Sequence, residues 1–297
     1  MKKYEILMDK ESTIEWKGHV LHRIKALRDF NDVKKGDLGG FVENENNLSH
    51  EGNCWIYDDA KVYNYAKVYN YAKVYGNAKV YDNATVFDNA KIYGNVKIYG
   101  EAQLYENAKV FGNSKVFGYA RVYDNAKIYD DAEIYDDAEI YGNSKIYDDA
   151  KIYENARVHG NARIYRNARV HGNSKVFGYA KVYENAKIYD DAEIYVDAKV
   201  YGYAMVYGYA KVDNNTIIGK VNCEFDKIFE IQNPKGRLVT AILKNKKILY
   251  SVGCQMNITE EKFRYRIKND NGGLEKNPHR VEYYKIIEMA KLYFDVK

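Results

Sequence analysis

The chain contains only two prolines in 297 residues, beside 32 tyrosines. Average globular sequences do not show this imbalance, whereas a tandem repeat produces it easily. The three cysteines are odd in number and lack the spacing of metal ligands, so reduced thiols are predicted and no metal site is expected. No apolar run has membrane-spanning length and the first residues lack the apolar core of a signal peptide, which predicts a cytoplasmic protein that binds no membrane. An aromatic content of 15% argues against disorder.

Positive charge is concentrated towards the C-terminus. Residues 219–297 carry 16 basic and 10 acidic side chains, a balance of +6, whereas residues 1–53 and 54–218 each have a balance of −1. A basic C-terminal segment favours an anionic partner without identifying it.

A six-residue repeat occupies residues 54–218. Its order is small, basic, aliphatic, aromatic, turn and polar residue, as in Ala78 to Asn83. The aliphatic position recurs from Ile56 to Ile218 without an insertion or deletion, which gives 28 hexads. Alternation of this kind predicts strands, with the aliphatic and small side chains on one face and the basic and aromatic side chains on the other. Cys54 falls at a small, inward position and is predicted to fill the core.

A single hexad is too short to bury its own inward face, so neighbouring hexads must stack around a common core. The pattern of an aliphatic residue followed four positions later by a small one, as in Val80 and Ala84, resembles the hexapeptide-repeat family. That resemblance implies a mainly β fold, a left-handed parallel β-helix with three hexapeptides per coil and about nine coils. At the spacing of stacked strands the prism would be about 45 Å long.

The flanking segments are predicted to cap the open ends of the helix, because exposed strand edges recruit other strands. Residues 1–53 form the predicted N-terminal cap, with strands at Tyr4–Met8 and His19–Ala26 and a glycine turn at residues 36–40.

Residues 219–297 form a predicted α+β module. Its three strand-like runs are Lys227–Ile231, Leu238–Leu243 and Lys247–Val252. One helix is expected after Thr259 as N-cap, and a second is expected after Pro278. The apolar stripe predicted for the second helix consists of Val281, Tyr284, Ile287 and Leu292.

Both flanks resemble modules of the transferase-like hexapeptide proteins of bacteriophages and prophages. The N-terminal match runs from Arg23 to Ser49, and the C-terminal match includes Gly253-Cys254 and Glu282 to Tyr284. The resemblance implies a protein of a bacterial host cell, with a host factor or defence component as one candidate partner.

An enzymatic function has to be weighed against the residues, because hexapeptide-repeat proteins are often acyltransferases. Such enzymes typically trimerise, place a general-base histidine near a coil edge and interrupt the helix with an extruded loop. The repeat here has no interruption. His159 and His171 replace outward tyrosines two hexads apart and fall on different predicted faces, so no catalytic role is expected for them.

Two other chemical arrangements are conceivable. Cys254 could act as a nucleophile with His279 as base, but a structural thiol is favoured. Asp130 and Asp148 could hold a cation, but pairing with neighbouring Lys and Arg is favoured, since Arg166 continues their column. No phosphate loop, dinucleotide fingerprint or zinc pattern is present, and neither a cofactor nor a metal is expected.

One outward column, taken from every third hexad, is wholly basic. Its members are Lys73, Lys91, Lys109, Lys127, Lys145, Arg163, Lys181 and Lys199. An aromatic column that includes Tyr129, Tyr147 and Tyr165 runs beside it. The pair of columns predicts a polyanion-binding face. A solvated surface with sheet-stabilising aromatic stacking is the alternative.

The sequence therefore favours a noncatalytic scaffold or binding protein that engages a macromolecular partner through its flat faces or its C-terminal module. A protein partner is expected, a nucleic acid or other polyanion is the next candidate, and a homodimer or homotrimer through a β-helix face is compatible with the fold. A hexapeptide-repeat acyltransferase and a polyanion-binding module are the alternatives.

Overall fold

A computed structural model describes residues 2–213, 217–218, 228–232, 238–244, 247–252, 255–270 and 273–294. Four strands precede the repeat: β1 (Tyr4–Ile6), β2 (Thr13–Trp16), β3 (His19–Ala26) and β4 (Leu38–Val42). A short 3₁₀ helix follows at Glu45–Asn47.

Each hexad then contributes one short strand that holds its basic and aliphatic positions. The 28 strands, β5 to β32, are Trp55–Ile56, Lys61–Val62, Lys67–Val68, Lys73–Val74, Lys79–Val80, Thr85–Val86, Lys91–Ile92, Lys97–Ile98, Gln103–Leu104, Lys109–Val110, Lys115–Val116, Arg121–Val122, Lys127–Ile128, Glu133–Ile134, Glu139–Ile140, Lys145–Ile146, Lys151–Ile152, Arg157–Val158, Arg163–Tyr165, Arg169–Val170, Lys175–Val176, Lys181–Tyr183, Lys187–Ile188, Glu193–Ile194, Lys199–Val200, Met205–Val206, Lys211–Val212 and Ile217–Ile218.

Every third strand joins the same parallel sheet, so the prism has three faces. The first face runs from β6 to β30, the second from β7 to β31 and the third from β5 to β32. Residues one full turn apart are paired, as in Lys109 with Lys127. The backbone N–H of Lys109 donates to the carbonyl of Ala126 at 3.0 Å, in the next turn. The predicted β-helix with three hexads per turn is confirmed.

The core consists of the aliphatic and small positions of the hexads. The aliphatic side chains from Ile56 to Val212 have no exposed surface, and Ile218 is 1% exposed. Most of the following aromatic residues are half-buried, although Tyr63 is covered by the N-terminal strands. The predicted inward and outward register is therefore confirmed, and Cys54 is buried as expected.

The prism turns at the fifth position of each hexad, where the backbone is left-handed. Glycine or a short polar residue usually stands there, because a left-handed conformation strains a Cβ atom. At Gly172, whose φ is 70°, an added Cβ would lie 2.6 Å from the backbone nitrogen of Asp190 in the next turn. Val196 adopts the same conformation with φ of 56°, which is strained for a β-branched residue.

The N-terminal strands extend the first face of the prism. Strand β3 pairs antiparallel with β1, β2 and β4, and β4 pairs parallel with β6. Gly39 and Gly40 were predicted to lie in a turn, but they lie within β4. An added Cβ on Gly40 would meet the carbonyl of Ala60 at 2.4 Å, so the glycines permit close contact with the first turn.

The C-terminal segment contains an antiparallel sheet of β33 (Ile228–Gln232), β34 (Leu238–Lys244), β35 (Lys247–Val252) and β36 (Gln255–Thr259). The three predicted strands are therefore present, apart from Lys227, which lies outside the described residues, and β36 was missed. The sheet contacts the end of the prism, since Ile242 belongs to the same apolar core as the hexads.

Helices α1 (Glu260–Asn269), α2 (Gly273–Lys276) and α3 (Val281–Phe294) complete the described chain, with a 3₁₀ turn at Pro278–Arg280. Thr259 caps α1 as predicted, because its side chain accepts from the N–H of Lys262. The apolar stripe predicted for α3 was wrong except at Ile287 and the half-buried Tyr284. Val281 and Leu292 are exposed, and the buried face of α3 is Tyr283, Ile286, Ile287, Ala290 and Phe294.

Candidate functional site

The prism faces carry the candidate sites. Successive hexads from Ile56 to Val212 follow one another without an extruded loop. Within the described residues, no group of three His, Cys, Asp or Glu side chains has the arrangement of a metal site. No helix in the same part of the chain is long and apolar enough to cross a membrane.

The first and second faces each carry carboxylates between cations of their basic columns. On the first face, Glu133 lies between Lys115 and Lys151 and accepts hydrogen bonds from both ammonium groups at 2.7 and 2.6 Å. Burial raises the pKa of Glu133, but these two hydrogen bonds outweigh it and the net pKa lies below the usual value of 4.5. On the second face, Glu139 lies between Arg121 and Arg157 at 3.3 Å from each.

Glu193 repeats this arrangement further along the second face. Its carboxylate lies 3.3 Å from Lys175 on one side and from Lys211 on the other. In the basic columns of the first and second faces, the acidic residues Glu133, Glu139 and Glu193 thus each lie between two cations.

The third face has no acidic residue in its basic column. Lys73 is nevertheless unavailable, because it is 9% exposed and its Nζ donates to Asp32 of the N-terminal segment at 2.6 Å. The remaining members form no ion pair within the part of the chain that the structure describes: Lys91, Lys109, Lys127, Lys145, Arg163, Lys181 and Lys199. These seven side chains are called the basic column below.

A shallow groove of about 680 Å³ runs along part of the basic column. It is lined by alternating amides and amines: Asn89, Lys91, Asn107, Lys109, Asn125, Lys127, Asn143 and Lys145. Each asparagine stands two residues before a lysine, in the turn that precedes its strand, and lines the same groove. Sequence reasoning identified the lysines and missed the asparagines, although both recur at every third hexad.

The aromatic column of the third face contains one gap. Successive rings stack at 4.2 to 5.0 Å from Tyr57 to Tyr129, and they stack again at 4.8 to 5.0 Å from Tyr147 to Tyr201. A cavity of about 340 Å³ lies where the two stacks meet, lined by Tyr129, Asp130, Lys145, Tyr147 and Arg163. The predicted candidates Tyr129 and Tyr147 flank this gap, whereas Tyr165 lies within the second stack.

His159 is an element of an aromatic stack on the second face. Its ring lies 4.8 Å from that of Tyr141 and 4.9 Å from that of Phe177. Burial lowers the pKa of His159, and the nearby Lys175 and Arg157 lower it further. Burial and the two neighbouring cations thus favour the neutral form of this imidazole.

His171 lies on the first face and has a carboxylate beside it. Its ring stacks between Tyr153 and Tyr189, at 4.6 and 5.2 Å. Nδ1 of His171 lies 3.6 Å from Oε2 of Glu154, and the same oxygen accepts a hydrogen bond from Gly172 N at 2.7 Å. The Glu154 carboxylate is thus fixed beside one ring nitrogen. Sequence reasoning missed this pair, because a turn residue of one coil meets a strand residue of the next and the two belong to different positions of the hexad.

The acidic corner residues make a different contact from the predicted pairing with cations. The carboxylate of Asp130 accepts from the backbone N–H of Asp148 at 3.4 Å, and that of Asp148 accepts from Arg166 N at 3.1 Å. Each carboxylate therefore caps a backbone N–H one turn further on. Cys223 and Cys254 lie outside the described residues, as does the side chain of His279.

Three parallel sheets built from hexads define the class of protein as a parallel β-solenoid. Residues 156–172 match the family model described as the YdcK beta solenoid repeat. A stretch of 42 residues is 52% identical to a protein of Escherichia coli (strain K12) named "Uncharacterized acetyltransferase YdcK". That stretch covers 14% of this chain and 13% of the relative, so the similarity concerns a small part of either protein.

Proposed function

We propose that this chain is an acyltransferase of the hexapeptide-repeat type. The name of the E. coli relative supports this alternative better than it supports the noncatalytic scaffold that the sequence favoured. The observation that carries the proposal is the position of the Glu154 carboxylate 3.6 Å from Nδ1 of His171. Tightening of this contact to a hydrogen bond would orient the ring and leave the other nitrogen available to accept a proton.

His171 is the proposed general base, and Glu154 is the proposed positioning residue. Nε2 of His171 would take the proton from a hydroxyl or amine of the acceptor as that atom forms a bond to the carbonyl carbon of an acyl thioester. The carbon–sulfur bond then breaks, and the leaving thiolate takes up a proton. The family-model match at residues 156–172 includes His171.

A homotrimer is the assembly that the hexapeptide-repeat resemblance implies for such an enzyme. The face that carries His171 is flat and open, so a neighbouring subunit would supply the second wall of the site. Oligomerisation through this face is therefore part of the proposal.

Acetyl-CoA is the probe that tests the activity. Calorimetry is expected to detect its binding, and release of free thiol in the presence of a mixture of small amines and hydroxyl compounds is expected to fall at least a hundredfold in His171→Gln. In Glu154→Gln the activity should fall by less than in His171→Gln, because the ring loses its neighbouring carboxylate but keeps the nitrogen that accepts the proton, and Glu154→Asp should restore part of the loss.

His159→Gln is the matched control, because His159 is also stacked in an aromatic column but has no carboxylate beside it. This variant should retain the activity. Absence of acetyl-CoA binding at millimolar concentration, or an equal loss of activity in both histidine variants, would contradict the proposal and favour a noncatalytic binding protein.

A further inference from the structure

We propose that the third face binds single-stranded nucleic acid, with phosphates along the basic column and a base in the gap between Tyr129 and Tyr147. This inference does not rest on the proposed acyltransferase activity, because His171 lies on the first face.

The first step of the argument is the difference in charge compensation between the faces. Glu133, Glu139 and Glu193 each form ion pairs with the cations on both sides and so interrupt the basic columns of the first and second faces. The basic column has no such carboxylate, and its members are paired in register on successive strands. Adjacent like charges at strand spacing repel each other, so an anionic ligand would relieve repulsion along the whole column.

The second step is the length and shape of the surface. Seven cations at about 4.8 Å intervals extend over about 29 Å, which suits an extended chain rather than a compact anion. The groove beside them carries exposed amides, such as those of Asn107 and Asn125, that donate hydrogen bonds to phosphate oxygens. A flexible strand can adjust its phosphate spacing to this ladder.

The third step is the gap in the aromatic stack. The Tyr129 and Tyr147 rings adjoin the cavity, and Lys145 and Arg163 line it as well. Base stacking on an aromatic side chain is a sequence-tolerant source of affinity for single strands. A duplex keeps its bases stacked on one another, and an anionic polysaccharide has no aromatic ring. The gap therefore favours a single strand over both.

The experiment is fluorescence anisotropy of a labelled 12-nucleotide oligothymidylate at 50 mM salt, with full-length protein. The test variant combines Lys109→Glu, Lys127→Glu and Lys145→Glu, and the matched control combines Lys67→Glu, Lys97→Glu and Lys187→Glu. The control makes the same change in net charge with outward side chains on the other two faces, none of which forms an ion pair within the described residues. Circular dichroism checks that both variants keep their β structure.

The test variant should lose at least tenfold in affinity, and the slope of log K against log salt should become shallower by about 2, since each phosphate contact with a single strand contributes about 0.7. The control should bind within about twofold of the wild type. Failure of the wild-type protein to bind the oligonucleotide, or an equal loss in the two variants, would overturn the proposal.

A second pair of measurements tests the base site. Tyr147→Ala should weaken oligothymidylate binding by about fivefold to a hundredfold and leave the binding of inorganic polyphosphate unchanged, because polyphosphate has no base to stack. If Tyr147→Ala binds the oligonucleotide and polyphosphate as tightly as the wild type does, the face is a general anion surface. That result would contradict the nucleic-acid assignment. Heparin binding stronger than that of the oligonucleotide, with the same dependence on Lys127, would assign the face to polysaccharide instead.

Discussion

The carboxylate of Glu133 accepts a hydrogen bond from the ammonium group of Lys151, one turn away on the first face, at 2.6 Å. Its second oxygen accepts from Lys115 on the opposite side at 2.7 Å. One acidic residue thus bridges two lysines that lie two turns apart in the same column.

Replacing Glu133 by Gln should lower the free energy of unfolding at pH 7 by about 1 kcal/mol, because two partly exposed ion pairs are lost and the lysines repel. The folded pKa of Glu133 is depressed, so its contribution is present above the unfolded value of 4.5 and disappears as the pH falls through the folded value. Urea titrations at pH 7 and pH 3 should therefore show a smaller difference between variant and wild type at pH 3. An unchanged difference at the two pH values would contradict an ionic origin.

His159→Phe should make the protein more stable relative to wild type as the pH falls below 6.5. The pKa of His159 in the folded protein is lowered from 6.5. As the pH falls below 6.5, the unfolded chain takes up a proton at His159 more readily than the folded chain does. The wild type therefore loses stability until the pH reaches the folded pKa. Phenylalanine already occupies this column at Phe177, so the ring stack is preserved. Thermal unfolding at pH 8 and pH 5 measures the effect, and a constant difference between the two proteins would count against it.

Ile128→Asp should open or unfold the prism. Ile128 has no exposed surface, and an unpaired carboxylate in an apolar core costs several kcal/mol. Lys127→Asp, at the adjacent outward position, is the control and should change stability by less than about 1 kcal/mol. The two variants can be compared by circular dichroism and by resistance to proteolysis. Similar behaviour of both would mean that the register of this strand is incorrect.

Val196→Asn should raise the midpoint of thermal unfolding. Val196 is exposed and has a left-handed backbone, which costs about 1 to 2 kcal/mol for a residue with a Cβ and is tolerated better by asparagine. Val20→Asn provides the comparison, because Val20 is similarly exposed within strand β3 and asparagine is disfavoured in strands. Stabilisation of neither variant would show that the backbone at Val196 relaxes without cost.

The solenoid could be predicted almost completely from the sequence, because each hexad repeats one local rule and its partners lie at a constant separation. Burial of Ile128 and the pairing of Lys109 with Lys127 follow from counting alone. The contact of Lys73 with Asp32 could not be predicted in this way, because Asp32 belongs to the irregular N-terminal segment. The exposed positions on α3 were missed for a related reason: Val281 and Leu292 share an apolar character with the buried residues, and only the packing of the helix distinguishes them.

The candidate site was predictable in part. The basic column is a property of periodicity, whereas the pairing of His171 with Glu154 depends on the path of the chain around a corner. The gap between Tyr129 and Tyr147 had no sequence signal at all, since both residues are tyrosine like most members of their column.

Each residue of the prism pairs with the residue one full turn further on, so the face on which a side chain lies depends on the number of hexads before it. Removal of a whole turn would leave every later side chain on its own face, because the columns would simply close up by one member. Removal of a single hexad before Lys127 would instead rotate all later residues by one face, and Glu133 would take the place of Lys127 in the basic column. Insertions or deletions in the repeat therefore keep every later side chain on its own face only when they comprise a multiple of three hexads.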